Sequence, residues 1–341
     1  MKKTCFTIFS SYIFLFASAQ QKPQYTQYIL NTYILHPALT GIENYTDVKL
    51  SYRRQWTGLD GAPVTAYFSI QGPIGKKDYK TSATSFQVPG ENPRGTNYWE
   101  NYTPSKPHHG IGCTMVNDHT GLYNRFSIDA SYAYHMGISS RTNLAAGIAA
   151  GFTNISYDLS RVNFAVPGDP VLGNSSANTL YSIRPDLSAG LWLYSADYFV
   201  GVSAQQILPQ QYTFADKNTL ENAKLVPHFF ATAGYRFLLN EDINVLPSVM
   251  FKYVQGSPTV PQYEFNIKFQ YLDLLWAGTS YRFHDGFAAM VGLNVGNFFN
   301  VGYSYDYTTS ELNTASSGTH EIILGFLIGN RYDDSCPRNV W

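Results

Sequence analysis

Charge is scarce in this chain. Only 14% of its 341 residues are Asp, Glu, Lys or Arg, against about 25% in an ordinary soluble protein. A water-soluble surface of this size cannot be covered on that allowance. Cysteine is also sparse. Of three, Cys5 lies in the N-terminal leader, and Cys113 and Cys336 are far apart, so no disulfide framework is written into the sequence and two separate structural thiols are expected. Long apolar runs are missing beyond the leader. A spanning helix needs roughly 20 consecutive apolar residues, which excludes a helical membrane protein. A net charge of -1 leaves no basic footprint, so nucleic acid is not expected as a partner.

Aromatics are abundant: 27 Tyr and 22 Phe within an aromatic share of 16%. The chain opens with Lys2 and Lys3, an apolar stretch from Phe6 to Phe16, and small residues Ala17-Ser18-Ala19. That is the layout of a secretory signal over residues 1–19. No cysteine follows the apolar run at a lipidation position. Export with few charges, many tyrosines and no helical span points to a transmembrane barrel, whose outer wall meets lipid and whose rims carry aromatic girdles.

Period-two alternation supports this. Val48, Leu50, Tyr52 and Trp56 alternate with Lys49, Ser51, Arg53 and Gln55, with Arg54 the one misfit. Val64, Ala66, Phe68 and Ile70 alternate with Thr65, Tyr67, Ser69 and Gln71. Similar runs pass through Phe126–Met136, Leu144–Phe152, Tyr263–Phe269 and Val301–Tyr307. Neighbouring side chains of a strand point to opposite faces, so each run has one apolar and one polar face. A soluble sandwich would alternate too. Its apolar face would favour compact aliphatics, however, and its strands would be shorter than the roughly 9–11 residues a tilted membrane strand needs.

The expected fold class is therefore all-β: a transmembrane antiparallel β-barrel of about fourteen strands with an N-terminal plug or strap. The strands are expected near 47–57, 63–71, 109–117, 123–138, 142–155, 182–194, 197–208, 226–238, 242–254, 260–270, 273–283, 286–296, 298–307 and 319–329. The domain plan is signal peptide 1–19, plug or strap 20–46, barrel 47–329 with a long periplasmic insertion at 72–108, and a periplasmic tail 330–341. Tight connections at 139–141, 195–196, 239–241, 271–272 and 297 would lie on the periplasmic side, and long ones at 156–181, 209–225 and 308–318 outside. The insertion reads as a disordered segment; the alternative is a periplasmic docking element, on the strength of Tyr98, Trp99 and Tyr102 standing among polar residues there.

No catalytic, cofactor-binding or metal residue is assigned. Ser131 and His135 share a strand face without a third group, and Asp118-His119 and His108-His109 lack metal-ligand spacing. Gly168-Asp169-Pro170 and Gly173-Asn174 read as turns. The charges in the polar phase (Lys49, Arg53, Asp129, Arg184, Asp186, Arg236, Lys252, Glu264, Lys268, Arg282 and Asp306) are expected to pair across strands and fill the lumen; a charged conduction path is the other reading.

Between leader and first strand the chain reads Gln24-Tyr25-Thr26-Gln27-Tyr28, then His36-Pro37-Ala38-Leu39-Thr40-Gly41. Tyr52-Arg53-Arg54-Gln55-Trp56 follows, with Gly61-Ala62-Pro63, Asn117-Asp118, Ser131-Tyr132-Ala133-Tyr134-His135 and His320-Glu321-Ile322 beyond. This combination resembles the PorP/SprF family of type IX secretion membrane proteins, with His36 in place of the family's usual Asn and an unusually long 72–108 connection. The resemblance implies a non-enzymatic component of the secretion and gliding machinery in the cell outer membrane. It would act as a platform for a secreted or surface-anchored protein with a C-terminal secretion domain and for periplasmic machinery components. Pro-Ala with a nearby Gly also looks like the hatch of FadL-type channels for hydrophobic small molecules, which is the alternative reading.

Overall fold

The computed structural model describes residues 22–76, 95–100, 102–158, 179–211, 224–256, 261–272, 274–296, 298–309, 311–314 and 316–330. The leader, the loop centres at 159–178 and 212–223, Gly168–Asn174 and Cys336 therefore lie outside the described residues.

Fourteen antiparallel strands close into a barrel. They are β1 (Thr46–Arg54), β2 (Val64–Ile74), β3 (His108–Thr120), β4 (Tyr123–Gly137), β5 (Asn143–Asp158), β6 (Thr179–Tyr194) and β7 (Tyr198–Gln205). Next come β8 (His228–Tyr235, continued by Phe237–Leu238), β9 (Ile243–Val254), β10 (Gln262–Tyr271), β11 (Leu275–Arg282), β12 (Gly286–Val295), β13 (Phe299–Thr308) and β14 (Thr319–Ile328). Each pairs with its sequence neighbours, and β1 closes the ring on β14 in a register that sets Thr46 against Ile328 and Arg54 against His320. Closure leaves no edge strand in the ring, so the wall's backbone groups pair internally, as an apolar solvent demands.

The alternation has the opposite sense to that of a soluble protein. Phe152, Phe265 and Phe287 are more than half exposed on the outside, while Arg53, Glu264 and Lys268 are at most 5% exposed on the inside. Outward aromatics gather at both ends of the strands. Tyr134, Tyr235, Phe237, Tyr271 and Phe298 lie toward the rim where the chain enters and leaves; Tyr52, Phe126, Tyr253, Tyr281 and Phe287 lie toward the other. These are the two girdles of a membrane barrel. Below, the first is the terminal rim and the second the far rim.

The wall is uneven in height. β5 and β6 are 16 residues each, whereas β7 and β11 have eight. β6 pairs with β5 from Thr179 onward but meets β7 only over Ala189–Tyr194, so the β3–β6 quadrant rises above the rest at the far rim. Of the five connections expected to be tight, those at 139–141, 195–196, 239–241 and 271–272 share the terminal rim; Asn297 lies outside the described residues. The expected one-sidedness fails at two places, because Gly121-Leu122 and Phe283-His284-Asp285 make equally short turns on the far rim. There the chain reverses through the left-handed region at Gly121 (φ 58) and His284 (φ 62), which shortens the connection without a long loop.

Candidate functional site

The candidate site is the polar inner face of the wall, against which the residues before β1 pack. Three short 3-10 turns, Gln27–Ile29, Thr32–Ile34 and Pro37–Leu39, follow one another. Their side chains are buried, and eight backbone hydrogen bonds, from Leu30 N–H to the Gln27 carbonyl through Ile42 N–H to the Leu39 carbonyl, close the turns. The wall supplies further partners. The Thr26 N–H donates to Glu321 Oε2 on β14 (2.9 Å), and Asn31 Nδ2 donates to Ser69 Oγ on β2 (2.9 Å). Tyr33 shares a proton with Ser131 on β4 (2.6 Å), and His36 Nε2 with Thr232 on β8 (2.8 Å). On β7, Ser203 Oγ donates to the Leu35 carbonyl (2.7 Å); on β10, Asn266 Nδ2 donates to the Tyr28 hydroxyl (2.5 Å). Backbone groups that no regular ladder satisfies are thus satisfied all round the ring.

Apolar anchors complete the fit. Tyr33, Ala38, Leu39 and Ile42 pack with Ala145, Trp192, Tyr194, Phe199 and Leu246. Tyr28, Ile34 and Leu35 pack with Tyr67, Phe230, Met250 and Ile323, and Ile29 with Trp276 and Met290. The barrel's hydrophobic core therefore lies between this segment and the wall. Contact is closest at Gly41 and Gly110. Gly41 adopts φ +75, and a Cβ on Gly110 would sit 1.9 Å from the Thr40 carbonyl oxygen. Only glycine allows that approach of two backbones.

Of the charges expected in the lumen, Arg53, Asp306, Glu264 and Arg282 pair across strands, and Lys49 pairs within its own strand. Arg53 Nη2 meets Asp306 Oδ2 at 2.8 Å and its Nη1 meets Glu321 Oε2 at 3.0 Å. Arg282 Nε binds Glu264 Oε2 at 3.0 Å and its Nη1 binds Asp285 Oδ2 at 2.9 Å. Lys49 pairs with Asp47 at 2.5 Å. Of the partners, Asp47, Asp285 and Glu321 were not among the residues expected to carry this network. The alternating phase could have given Asp47 and Glu321, which share the lumen phase of β1 and β14; Asp285 sits in a turn and carries no such signal. Asp129 and Arg125 face a residual cavity of about 50 Å³ beside Lys22, Tyr25 and Gln205.

The histidines and serine without a catalytic signature take structural positions. His135 Nε2 lies 2.8 Å from the Thr40 carbonyl and His108 Nε2 lies 3.2 Å from that of Gly41, with the two rings stacked at 4.6 Å. Asp118 accepts from Thr65 Oγ1 (2.6 Å), and His109 contacts the Tyr132 hydroxyl (2.7 Å). Among the described residues no three His, Cys, Asp or Glu side chains gather in metal-binding geometry, and Cys113 is unpaired there.

At the terminal rim, the last part of the 72–108 connection packs against the barrel. A one-turn helix, Thr96–Glu100, places Trp99 over the Arg236 guanidinium at 5.0 Å. Arg141 Nη2 donates to the Trp99 carbonyl (2.8 Å), the Thr96 N–H donates to the Glu241 carboxylate (3.1 Å), and Asn143 Nδ2 donates to the buried Tyr102 hydroxyl (2.8 Å). The Thr96 contacts hold the Glu241 carboxyl below its ordinary range. Lys76, at the start of the connection, donates to the Ile42 carbonyl (2.6 Å).

Solved structures share this architecture at low identity. The Ralstonia pickettii toluene transporter TbuX superposes with a TM-score of 0.50 at 10% identity, over 88% of this chain and 93% of that one. The P. putida toluene transporter TodX gives 0.49 at 10% identity, over 87% and 93%. The Acinetobacter baumannii outer membrane protein Omp33 gives 0.45 at 7% identity, over 85% and 100%. At 10% identity TbuX speaks for the fold alone. No curated protein sequence matches the chain. Residues 17–326, nearly the whole chain, match the family described as type IX secretion system membrane protein PorP/SprF; with its fourteen-strand membrane wall, the chain belongs to that family and is an outer-membrane barrel of type IX secretion.

Proposed function

We propose that this barrel is a closed platform of the secretion and gliding machinery, which holds a secreted or surface-anchored protein carrying a C-terminal secretion domain. One observation carries the reading: residues 26–41 hydrogen-bond with inward-facing side chains on six strands, β2, β4, β7, β8, β10 and β14, which we read as a plug in the lumen. A barrel filled this way offers its rims as working surfaces. In this reading residues 1–19 are removed on export and the terminal rim faces the periplasm. The connections 156–181, 209–225 and 308–318, on the far rim, meet the exported protein. The 95–108 stretch at the terminal rim then meets periplasmic components of the machinery. No step of bond making or breaking is assigned to any residue.

The alternative reading is a channel for a hydrophobic small molecule, in line with the toluene transporters that share the fold. A lumen lined by Arg53, Glu321, Arg282 and Glu264 and occupied by backbone is a poor apolar path. Deleting the gene and following one surface protein with a C-terminal secretion domain tests the proposal. Loss of that protein from the cell surface, restored by the wild-type barrel, is expected, and purified barrel in a planar bilayer should stay silent. Undiminished surface display, or steady conductance with uptake of an aromatic hydrocarbon, would overturn it.

A further inference from the structure

Arg54 points the wrong way for a barrel strand. Among the described residues, every other Lys and Arg of the fourteen strands faces the lumen, while Arg54 is exposed on the outer wall next to Tyr52. Its neighbour across the closing seam is His320, and on its other side Val64 leads to His119, also exposed and outward. One rung of the far rim thus carries His320, Arg54, Val64 and His119 over four adjacent strands. Cross-strand partners stand about 5 Å apart and each strand adds about 4.8 Å, so the row spans roughly 15 Å.

The residues around it fix its chemistry. The Tyr303 hydroxyl lies 2.7 Å from His320 Nδ1, and the Tyr305 ring packs 5.2 Å from the imidazole. With Tyr303 donating to Nδ1, the imidazole proton sits on Nε2, ready to donate elsewhere. Among the described residues Arg54 has no ion-pair partner. The nearest carboxylate in sequence on β3, Asp118, turns into the lumen and accepts from Thr65. An unpaired guanidinium costs several kcal/mol at the bilayer midplane but little at the headgroup level, where the girdle tyrosines place it.

We propose that Arg54 and His320, flanked by Tyr303 and His119, form a binding site on the outer wall for the phosphate of a lipid headgroup. The occupant we commit to is lipid A, the phosphorylated lipid of an outer leaflet. Charge complementarity selects it: a row of donors with no facing carboxylate suits an anion, and an anion at this depth on a membrane wall comes with acyl chains. Guanidinium binds phosphate oxygens through paired N–H groups, and the imidazole adds a third donor.

The test uses the full barrel in phosphatidylcholine nanodiscs doped with lipid A, with retained lipid counted by native mass spectrometry. Both leaflets hold the lipid, so the outcome does not depend on which rim faces outward or on the platform reading. Wild type should retain lipid A in preference to phosphatidylcholine. The double variant Arg54→Gln, His320→Gln should lower occupancy about five-fold or more, at roughly 1 kcal/mol per cationic contact, while Arg54→Lys keeps most of it. Heat-modifiable gel migration confirms that each variant is folded. Equal retention by the double variant, no preference in the wild type, or displacement of lipid A by millimolar inorganic phosphate would overturn the proposal.

Discussion

Arg53 on β1 and Asp306 on β13 are separated by a whole strand, yet their side chains meet at 2.8 Å. Glu321 of the intervening strand binds the same guanidinium from below, and Thr26 of the N-terminal segment donates to Asp306 while accepting from Arg53. One arginine therefore ties the closing seam of the barrel to the segment inside it. Replacing it removes the cation that binds both Asp306 and Glu321; Arg282 reaches only Asp306 of this pair, at 3.9 Å. Arg53→Met should destabilise the barrel by about 3–5 kcal/mol, the cost of breaking a buried pair from one side. Denaturant unfolding in detergent, followed by heat-modifiable migration, should show the loss; Arg53→Lys should show a smaller one, because it lacks the forked donor geometry.

The Gly41–Gly110 contact gives a second expectation. A methyl group on Gly110 would overlap the Thr40 carbonyl at 1.9 Å, and both atoms belong to backbone that cannot rotate away. Gly110→Ala should therefore move the segment rather than the strand, since β3 is held by ladders on both sides. Overpacking of this kind costs about 1–3 kcal/mol. Amide exchange at residues 27–41 should quicken roughly ten-fold while exchange in β2–β4 stays slow. Unchanged exchange in the segment would mean that the wall yields instead.

How much of this was legible in the sequence follows from what each part depends on. The strands depend on local alternation, and all fourteen lie within a few residues of where the alternation places them. The lumen charges could be named for the same reason. Their pairing could not, because Arg53 reaches Asp306 across an intervening strand and two residues off its own rung. The core was hidden. Tyr67 falls in the polar phase of β2, between Thr65 and Ser69, and looked like an ordinary lumen residue. In fact it packs edge-on against Tyr25 at 5.4 Å and joins the cluster around Tyr28. Trp192 and Trp276 are similar lumen-phase intruders, and three large apolar residues in a nominally polar phase were the available sign that something apolar lies inside. The course of residues 22–45 had no periodic signal at all, since its turns are only three residues long and are fixed by bonds to the wall as well as by their own.

His36 makes the docking of that segment sensitive to acid. It lies buried against Trp192, ring centroids 5.0 Å apart, with Thr232 as its hydrogen-bond partner and no carboxylate beside it. Burial pushes its pKa down from 6.5 to about 3. The folded state then binds fewer protons than the unfolded one between those values, so stability falls as pH drops from 6.5 toward 3 and is complete above 6.5. At pH 5 the penalty is about 2 kcal/mol. His36→Asn, which restores the residue usual in the family, should remove this share. Comparing its stability with wild type at pH 7.5 and pH 5 isolates the effect, and an identical pH dependence in both proteins would rule it out.

The long connection between β2 and β3 can be divided by what each part holds. Lys76 donates to the Ile42 carbonyl, Tyr102 is 5% exposed and accepts from Asn143, and Trp99 lies over Arg236. Removing 76–106 would therefore strip supports from the N-terminal segment and the terminal rim together, and any loss of partners would be confounded by damage to the barrel. Removing only 78–94 spares every one of those contacts. The shorter deletion should leave unfolding and heat-modifiable migration at wild-type values, while the longer one should lower stability by several kcal/mol through the orphaned Asn143 and Arg236 groups. If 95–108 is the surface that periplasmic machinery reads, co-purification of those components should survive deletion of 78–94 and fall on Trp99→Ala in a barrel of unchanged stability. Retention by the Trp99→Ala protein would place that contact elsewhere on the rim, because the Trp99 ring is the large apolar group this stretch offers beside Glu241 and Arg141.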